Sequence, residues 1–397
     1  METQVHLHRG QRWNVDYAYI TKNNKNAVKL FCNAHVGKVL FQNDFEAVGV
    51  EGVHFGKKFS VLAKRAVILS AGTIGSPMIL MRSGIGPKTH LSNLKIPVLQ
   101  NLPVGKNLQD HVTTGLDLIQ LNQSLSIDFK NIASVSSFIQ YMYQGKGPWS
   151  TTGCEAFGVI HSDLVDQRKE LPDLQIMALP MGLTSDYGAH MRKAMGVKEE
   201  VWKEYFSPLR GSQVASIMPV LLHPKSRGEV KLKSQSIDDD PIIDPNYLAH
   251  EDDIKTLYEG IKIVKNLIKT EALQKLGAHL YEKKIPGCED EKFDSPNYWL
   301  CYIKHLTLTS YHPVGTCKMG PQTDRTSVVD SNLRVHGTNK LFVVDASVMP
   351  SLPSGNVNAA VMMVAEKGAD LVKEFWHQTV KKCNLWTFFQ NIAMTNN

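Results

Sequence analysis

No stretch of the 397 residues approaches the roughly 18–20 consecutive apolar positions that a helix needs to cross a bilayer. The opening METQVHLHRG also lacks the apolar core of a secretory leader, so the sequence leaves the compartment open. Cysteine is sparse. Its six positions (Cys32, Cys154, Cys288, Cys301, Cys317, Cys383) are scattered without a C-x-x-C pair. That spacing argues against a zinc ribbon or a disulfide framework and favours isolated packing thiols, although one or two bridges in an oxidising compartment stay compatible with it. No basic block alternates with aromatics, and the net charge of +6 comes from 44 basic and 38 acidic residues interleaved along the chain. Nucleic-acid binding therefore has no electrostatic footprint here. Internal repeats and low-complexity tracts are absent as well. No G-x-G-x-x-G turn follows a strand. The superficially similar SGIGPK (Ser83–Lys88) follows a helical stretch and runs into Pro87, which makes it a helix stop and not a phosphate loop.

With 43% hydrophobic residues the chain can bury about two domains' worth of core. Residues 28–70 read as strands: VKLFCNA, then GKVLFQNDFEAVGVEGV, then KFSVLAKRAVILSAG, separated by Asn43-Asp44 and Gly56. The last run, Ala66–Gly72, is almost continuously apolar, as expected of a strand buried on both faces of an α/β sheet. A helix is predicted over about Ser76–Arg82. Between about 112 and 310 the pattern changes to polar loops, the β-prone QVASIMPVLL, and an amphipathic helix from about Asp252 to Lys269. After 330 the α/β pattern returns with KLFVVDAS, a Pro/Ser/Gly loop, and a helix from about Val357 to Phe375. Val357, Val361, Val364, Gly368, Leu371 and Phe375 form that helix's core face. The implied architecture is one nucleotide-binding domain made from both chain ends, with a second domain inserted between them.

Four features carry candidate chemistry. VILSAGTIGSP couples a buried strand to a helix through glycine, which lets backbone approach a ligand, although any α/β domain could use the same turn. Asp345 falls at a strand's carboxyl end, where it could accept hydrogen bonds from ligand hydroxyls or cap the next turn. Asn356 and Asn358 flank the start of the last helix, whose free N–H groups attract negative charge; one of the pair could be an ordinary cap. His312 stands in SYHPVGTCKMG, a loop shaped by Pro313 and Gly315. It lacks partners at metal-ligand spacing, and an imidazole titrating near neutrality suits a general base.

GTIGSPMILMRSGIG (Gly72–Gly86), VGKNLQDH (Val104–His111), HPKSRGEVKL (His223–Leu232), DPIIDPNYL (Asp240–Leu248), YHPVGTCKMG (Tyr311–Gly320) and Leu333–Leu371 together resemble the glucose–methanol–choline (GMC) family of FAD-dependent oxidoreductases. The flavour is that of its insect glucose-dehydrogenase-like branch, and the resemblance covers about Val28 to Val372. It implies an α/β plus α+β fold, in which a partial, Rossmann-like FAD-binding domain is built from both chain ends. The inserted substrate domain would contain an antiparallel sheet. The segments would be 1–111 and 311–378 for FAD, 112–310 mainly for substrate, and a peripheral tail over 379–397.

The resemblance also implies the roles. His312 matches the catalytic histidine and Asn358 the second catalytic position, while Val36 matches the residue whose backbone meets the adenine. Tyr311, Asp345 and Ala346 match positions lining the flavin, and Asn356 lies at the helix start that faces the reduced ring. His312 would take a hydroxyl proton as the carbinol carbon gives hydride to flavin N5. The substrate would be a small-molecule alcohol or sugar and the acceptor oxygen or a quinone, with no metal, nucleic acid or membrane span; the compartment stays unknown, secretion being compatible with the resemblance. Family members begin with a G-x-G-x-x-G βαβ unit that this chain lacks. The sequence therefore predicts weak or absent FAD retention by the chain as written, and keeps open a truncated, non-catalytic homologue.

Overall fold

The run AHVGKVLFQ makes the first long strand, Ala34–Gln42. It pairs antiparallel with Glu46–His54, which pairs in turn with Lys57–Leu62 through a hairpin at Phe55-Gly56. Gly56 sits at φ +75, the left-handed backbone that a tight hairpin loop requires. The strand expected at VKLFCNA does not form. Residues 28–33 precede the sheet, and Leu30 and Phe31 are exposed; among the described residues no strand pairs with this run. The computed structural model describes residues 6–21, 28–125, 129–166 and 171–394, without the side chains of 44, 129–130 and 378–394.

The chain divides into two compact units. Phe31–Asp110, Arg227–Tyr247 and His312–Asn397 form one; Met1–Leu30, His111–Ser226 and Leu248–Tyr311 form the other. Residues 227–247 thus group with the flanking segments, and the opening segment groups with the middle one.

In the flanking unit, Val67–Leu69 pairs in parallel with Leu341–Val343, joining the two chain ends as anticipated. Leu341, Phe342 and Val343 are all buried, but Ile68 is 48% exposed. Burial on both faces therefore fails for the Ala66–Gly72 run: its sheet has two strands among the described residues, and its outer face borders a cavity. The helix after it runs Gly72–Arg82, beginning four residues before Ser76 because Gly72, at φ +76, turns the chain straight off the strand. Met78 to Met81 bury its core face. The helix stops at Ser83-Gly84, where Ile85 N donates to Leu80 O at 2.9 Å and Gly84 N to Met81 O at 3.0 Å, a glycine cap of the kind expected of SGIGPK. Lys106–Leu108, Gly228–Lys231 and Ile242–Asp244 make a further three-stranded sheet.

The last helix spans Asn358–Met394, well past Phe375, since no Pro or Gly follows Gly368 within it. Val364, Leu371 and Phe375 pack on the core as its 3.6-residue period predicts. Gly368 lies so close that a Cβ would come 2.5 Å from Val344 Cγ1. The expected peripheral tail from 379 falls on side chains outside the described residues.

The middle unit holds a seven-stranded sheet with antiparallel pairings throughout. QVASIMPVLL supplies its long strand Gln213–Leu221. The helices Glu251–Ile268 and Pro296–His305 pack an aromatic-rich core that includes Trp202, Tyr205, Phe206, Tyr298, Trp299 and Tyr302. The reading of all cysteines as isolated thiols is corrected here, for Cys288 and Cys301 form a disulfide with Cα atoms 6.0 Å apart. They stand 13 positions apart in the sequence. The chain covers that interval by a turn at Ile285–Cys288 and the helix start at Ser295, so sequence spacing gave no signal.

Candidate functional site

Pro77 organises the site by what it cannot do. Inside the helix Gly72–Arg82 it has no N–H to donate to the Thr73 carbonyl four residues back. That carbonyl instead accepts the Thr316 hydroxyl at 2.6 Å, while the Thr73 hydroxyl donates to Pro313 O at 2.7 Å. The two bonds tie the helix start to the loop carrying His312. A second tether comes from VGKNLQDH. His312 N donates to Asp110 Oδ1 at 2.8 Å, and Val314 and Gln109 exchange backbone bonds at 2.9 and 3.1 Å. Asp110 Oδ2 accepts the Tyr247 hydroxyl at 2.5 Å, which fixes the carboxylate from its other side. Gly315 is at φ +96, and a Cβ there would lie 2.5 Å from Asn107 O, so glycine is required where the loop crosses this segment.

The result is a half-buried imidazole on a braced backbone. Burial pushes the His312 pKa below its ordinary value, and the Asp110 carboxylate offsets part of that. The ring is therefore neutral near pH 7 and can accept a proton. Its Nε2 lies 3.3 Å from Asn356 Nδ2. Asn358, matched to the second catalytic position, is the first residue of the last helix, with an exposed side chain two residues further on. Sequence reasoning put Asn356 beside the cofactor; the structure brings its amide to the imidazole.

The other singled-out residues distribute differently. Val36 lies in the strand Ala34–Gln42 and lines an open cavity of about 830 Å³ together with Val50, Ile68, Ala71, Ile74 and Met78. Asp238, Asp239 and Asp240 also border it. Asp345 caps the turn Ala346–Val348 through Ser347 N at 2.8 Å. It also accepts the Ser347 hydroxyl at 2.5 Å, Gly72 N at 2.9 Å and the Ser76 hydroxyl at 2.6 Å. With four protein donors on two oxygens, the capping alternative describes this side chain, and ribose or ribityl hydroxyls have no vacant acceptor on it. Ala346 accepts Gly315 N through its carbonyl at 3.3 Å, which links the turn to the His312 loop. Tyr311 is 60% exposed and donates its hydroxyl to Ala194 O at 2.8 Å.

Asp110, Thr73, Thr316 and Asn107 were missed as individuals. All four stand in stretches singled out from sequence, but nothing in a sequence shows that VGKNLQDH braces HPVGT two hundred residues later. Asp110→Asn tests the brace. The amide keeps an acceptor for His312 N but removes the charge that raises the imidazole pKa, so the acid limb of the pH–rate profile should move to lower pH. An unmoved limb would show that Asp110 does not act on His312 electrostatically. Among the described residues one group has metal-ligand spacing, Cys288, Cys301 and His305, and its two sulfurs are joined to each other.

Two family models described as GMC oxidoreductase match the chain, one over residues 2–113 and one over 224–365. The chain belongs to the GMC oxidoreductase family. It is 36% identical over 374 residues to the glucose dehydrogenase [FAD, quinone] of Drosophila melanogaster, an alignment covering 93% of this chain and 55% of that protein. Human mitochondrial choline dehydrogenase is 34% identical over 370 residues, with 92% and 57% covered. Among solved structures, a formate oxidase variant from Aspergillus oryzae superposes with a TM-score of 0.79 at 26% identity, covering 94% of this chain and 65% of that one. The pyridoxine 4-oxidase from Mesorbium loti gives 0.73 at 25% identity, with 94% and 63% covered. The chain thus spans just over half the length of these curated relatives. The GMC fold, with its Rossmann-like cofactor domain, and the mixed α/β chain with antiparallel sheets agree with the architecture read from the sequence.

Proposed function

We propose that the protein is an FAD-dependent oxidoreductase acting on the CH–OH group of an alcohol or sugar, with His312 as the base. The observation that carries this reading is the half-buried neutral imidazole, held by Asp110 at its backbone and met by Asn356 at Nε2. FAD, when bound, would accept the hydride. The residues present suit part of it. The cavity beside Val36 is of ligand size, apolar along Val50, Ile68, Ile74 and Met78, and edged by acceptors, as an adenosine moiety requires. Val36 would meet the adenine, and Tyr311 and the backbone of 345–346 would line the flavin.

His312 would receive the substrate hydroxyl proton, which makes the carbinol C–H a better hydride donor. Asn358 would hydrogen-bond the same oxygen, and Asn356 would hold the imidazole in register. The start of the helix Asn358–Met394 would stabilise negative charge nearby through its free N–H groups. Oxygen or a quinone would take the electrons afterwards.

The test is anaerobic mixing of the flavin-loaded protein with a panel of alcohols and sugars. Bleaching of the flavin absorbance by at least one CH–OH donor is expected. A protein that binds no flavin in any form would leave the non-catalytic homologue as the better description.

A further inference from the structure

The disulfide lies beneath a histidine that the proposed chemistry does not use. Cys301 and His305 stand one helical turn apart on Pro296–His305, so both project from one face. Cys288 comes from the turn at Ile285–Cys288, whose backbone is fixed by Cys288 N donating to Ile285 O at 3.1 Å. His305 Nδ1 lies 3.5 Å from Cys288 Sγ, 3.6 Å from Cys301 Sγ and 2.9 Å from Cys301 O. Gly287, at φ +91, brings the turn against the ring so closely that a Cβ would meet His305 Nε2 at 2.6 Å. Cys288 is buried, Cys301 is partly open and His305 is exposed. A small reagent would therefore reach Cys301 first.

We propose that Cys288–Cys301 is a maturation disulfide closed by thiol–disulfide exchange in an oxidising compartment, with Cys301 as the attacking thiol and His305 positioned to hold its thiolate. His305 Nδ1–H donates to the Cys301 carbonyl and lies within reach of a thiolate on Cys301. Cys301 gives its proton to water, and the thiolate attacks one sulfur of a small disulfide oxidant. The mixed disulfide forms, and the first leaving thiolate takes a proton from water. Cys288 then gives its proton to water and attacks Cys301 Sγ. The protein bridge forms, and the second thiolate departs and is protonated by water. Two protein thiols are oxidised by two electrons, and one oxidant disulfide becomes two thiols. A hydrogen-bond donor or cation beside a thiol raises its thiolate fraction, and reducing cytosols do not sustain bridges of this kind. The closed bridge fastens the turn at 285–288, where Ile285 N also bonds the Tyr298 hydroxyl at 3.3 Å, to the helix that precedes His312 in the chain.

Alkylation of the protein from a secretory host, denatured without reductant, should leave Cys288 and Cys301 unlabelled; both should label after reduction. In refolded, reduced protein, His305→Ala should slow closure by oxidised glutathione about three- to tenfold, and His305→Lys, which keeps an N–H donor, should recover part of the rate. Full labelling of both thiols without reductant, with or without one bound zinc ion per chain, overturns the bridge. Equal closure rates for the His305 variants and the parent overturn the role of His305. Should His305→Ala fail to fold, the parent labelling pattern and the His305→Lys rate still decide.

Discussion

His312→Ala should slow anaerobic flavin reduction by an alcohol or sugar about 10²–10⁴-fold in the flavin-loaded protein, the range lost when a positioned acid–base group is removed. The effect should fall on the reduction step more than on substrate affinity, because the imidazole contributes most when the hydroxyl proton moves. Its environment sets the pH behaviour. Burial lowers the His312 pKa, so the neutral, proton-accepting form persists below the ordinary imidazole value and the acid limb should lie under about pH 6.5. The alanine variant should lose that limb altogether. Asn358→Ala should also slow reduction, if Asn358 is the second group on the substrate oxygen as proposed. Asn356→Ala should act through the ring it meets at 3.3 Å, altering the His312 limb as well as the rate. An unchanged single-turnover rate in His312→Ala would sink the assignment of the base.

What the sequence disclosed depended on whether the signal was local. The helix expected over Asp252–Lys269 is found at Glu251–Ile268, with Leu257, Ile261 and Val264 buried, because an apolar stripe every 3.6 residues is a local pattern. The glycine stop after Arg82 was legible for the same reason. The strand at VKLFCNA was not, since apolar residues alone do not say whether a partner strand exists. Ile68 shows the same limit in reverse: its run looks like a central strand, yet only one flank is paired among the described residues. Long-range pairings escaped most completely. Cys288 with Cys301, Asp110 with His312 N, and Thr316 with the carbonyl freed by Pro77 are set by how the chain folds back. The family motifs marked these neighbourhoods without assigning their contacts.

Asp345→Ala should destabilise the unit carrying His312 by roughly 3–5 kcal/mol, the second large effect expected. The side chain is buried and satisfies two backbone N–H groups, Gly72 and Ser347, together with the hydroxyls of Ser76 and Ser347. Alanine leaves two backbone donors without acceptors at positions water reaches poorly, at a cost of about 1–3 kcal/mol each. The hydroxyls lose less, because they can turn towards other acceptors. Asp345→Asn discriminates this from a simple loss of volume. Its amide presents one oxygen and one NH₂, so either Gly72 N–H or Ser347 N–H must face a donor, and neither backbone group can reorient. Asparagine should therefore cost about half as much as alanine, despite being nearly isosteric with aspartate. Urea unfolding midpoints of the parent and both variants measure the difference. Because Gly72 opens the helix whose Thr73 holds Pro313, and Ala346 O receives Gly315 N, the loss should also loosen the His312 loop. If the asparagine variant matched the parent in stability, the four-donor account of Asp345 would be wrong, and its carboxylate would again be available as an acceptor for a ligand hydroxyl.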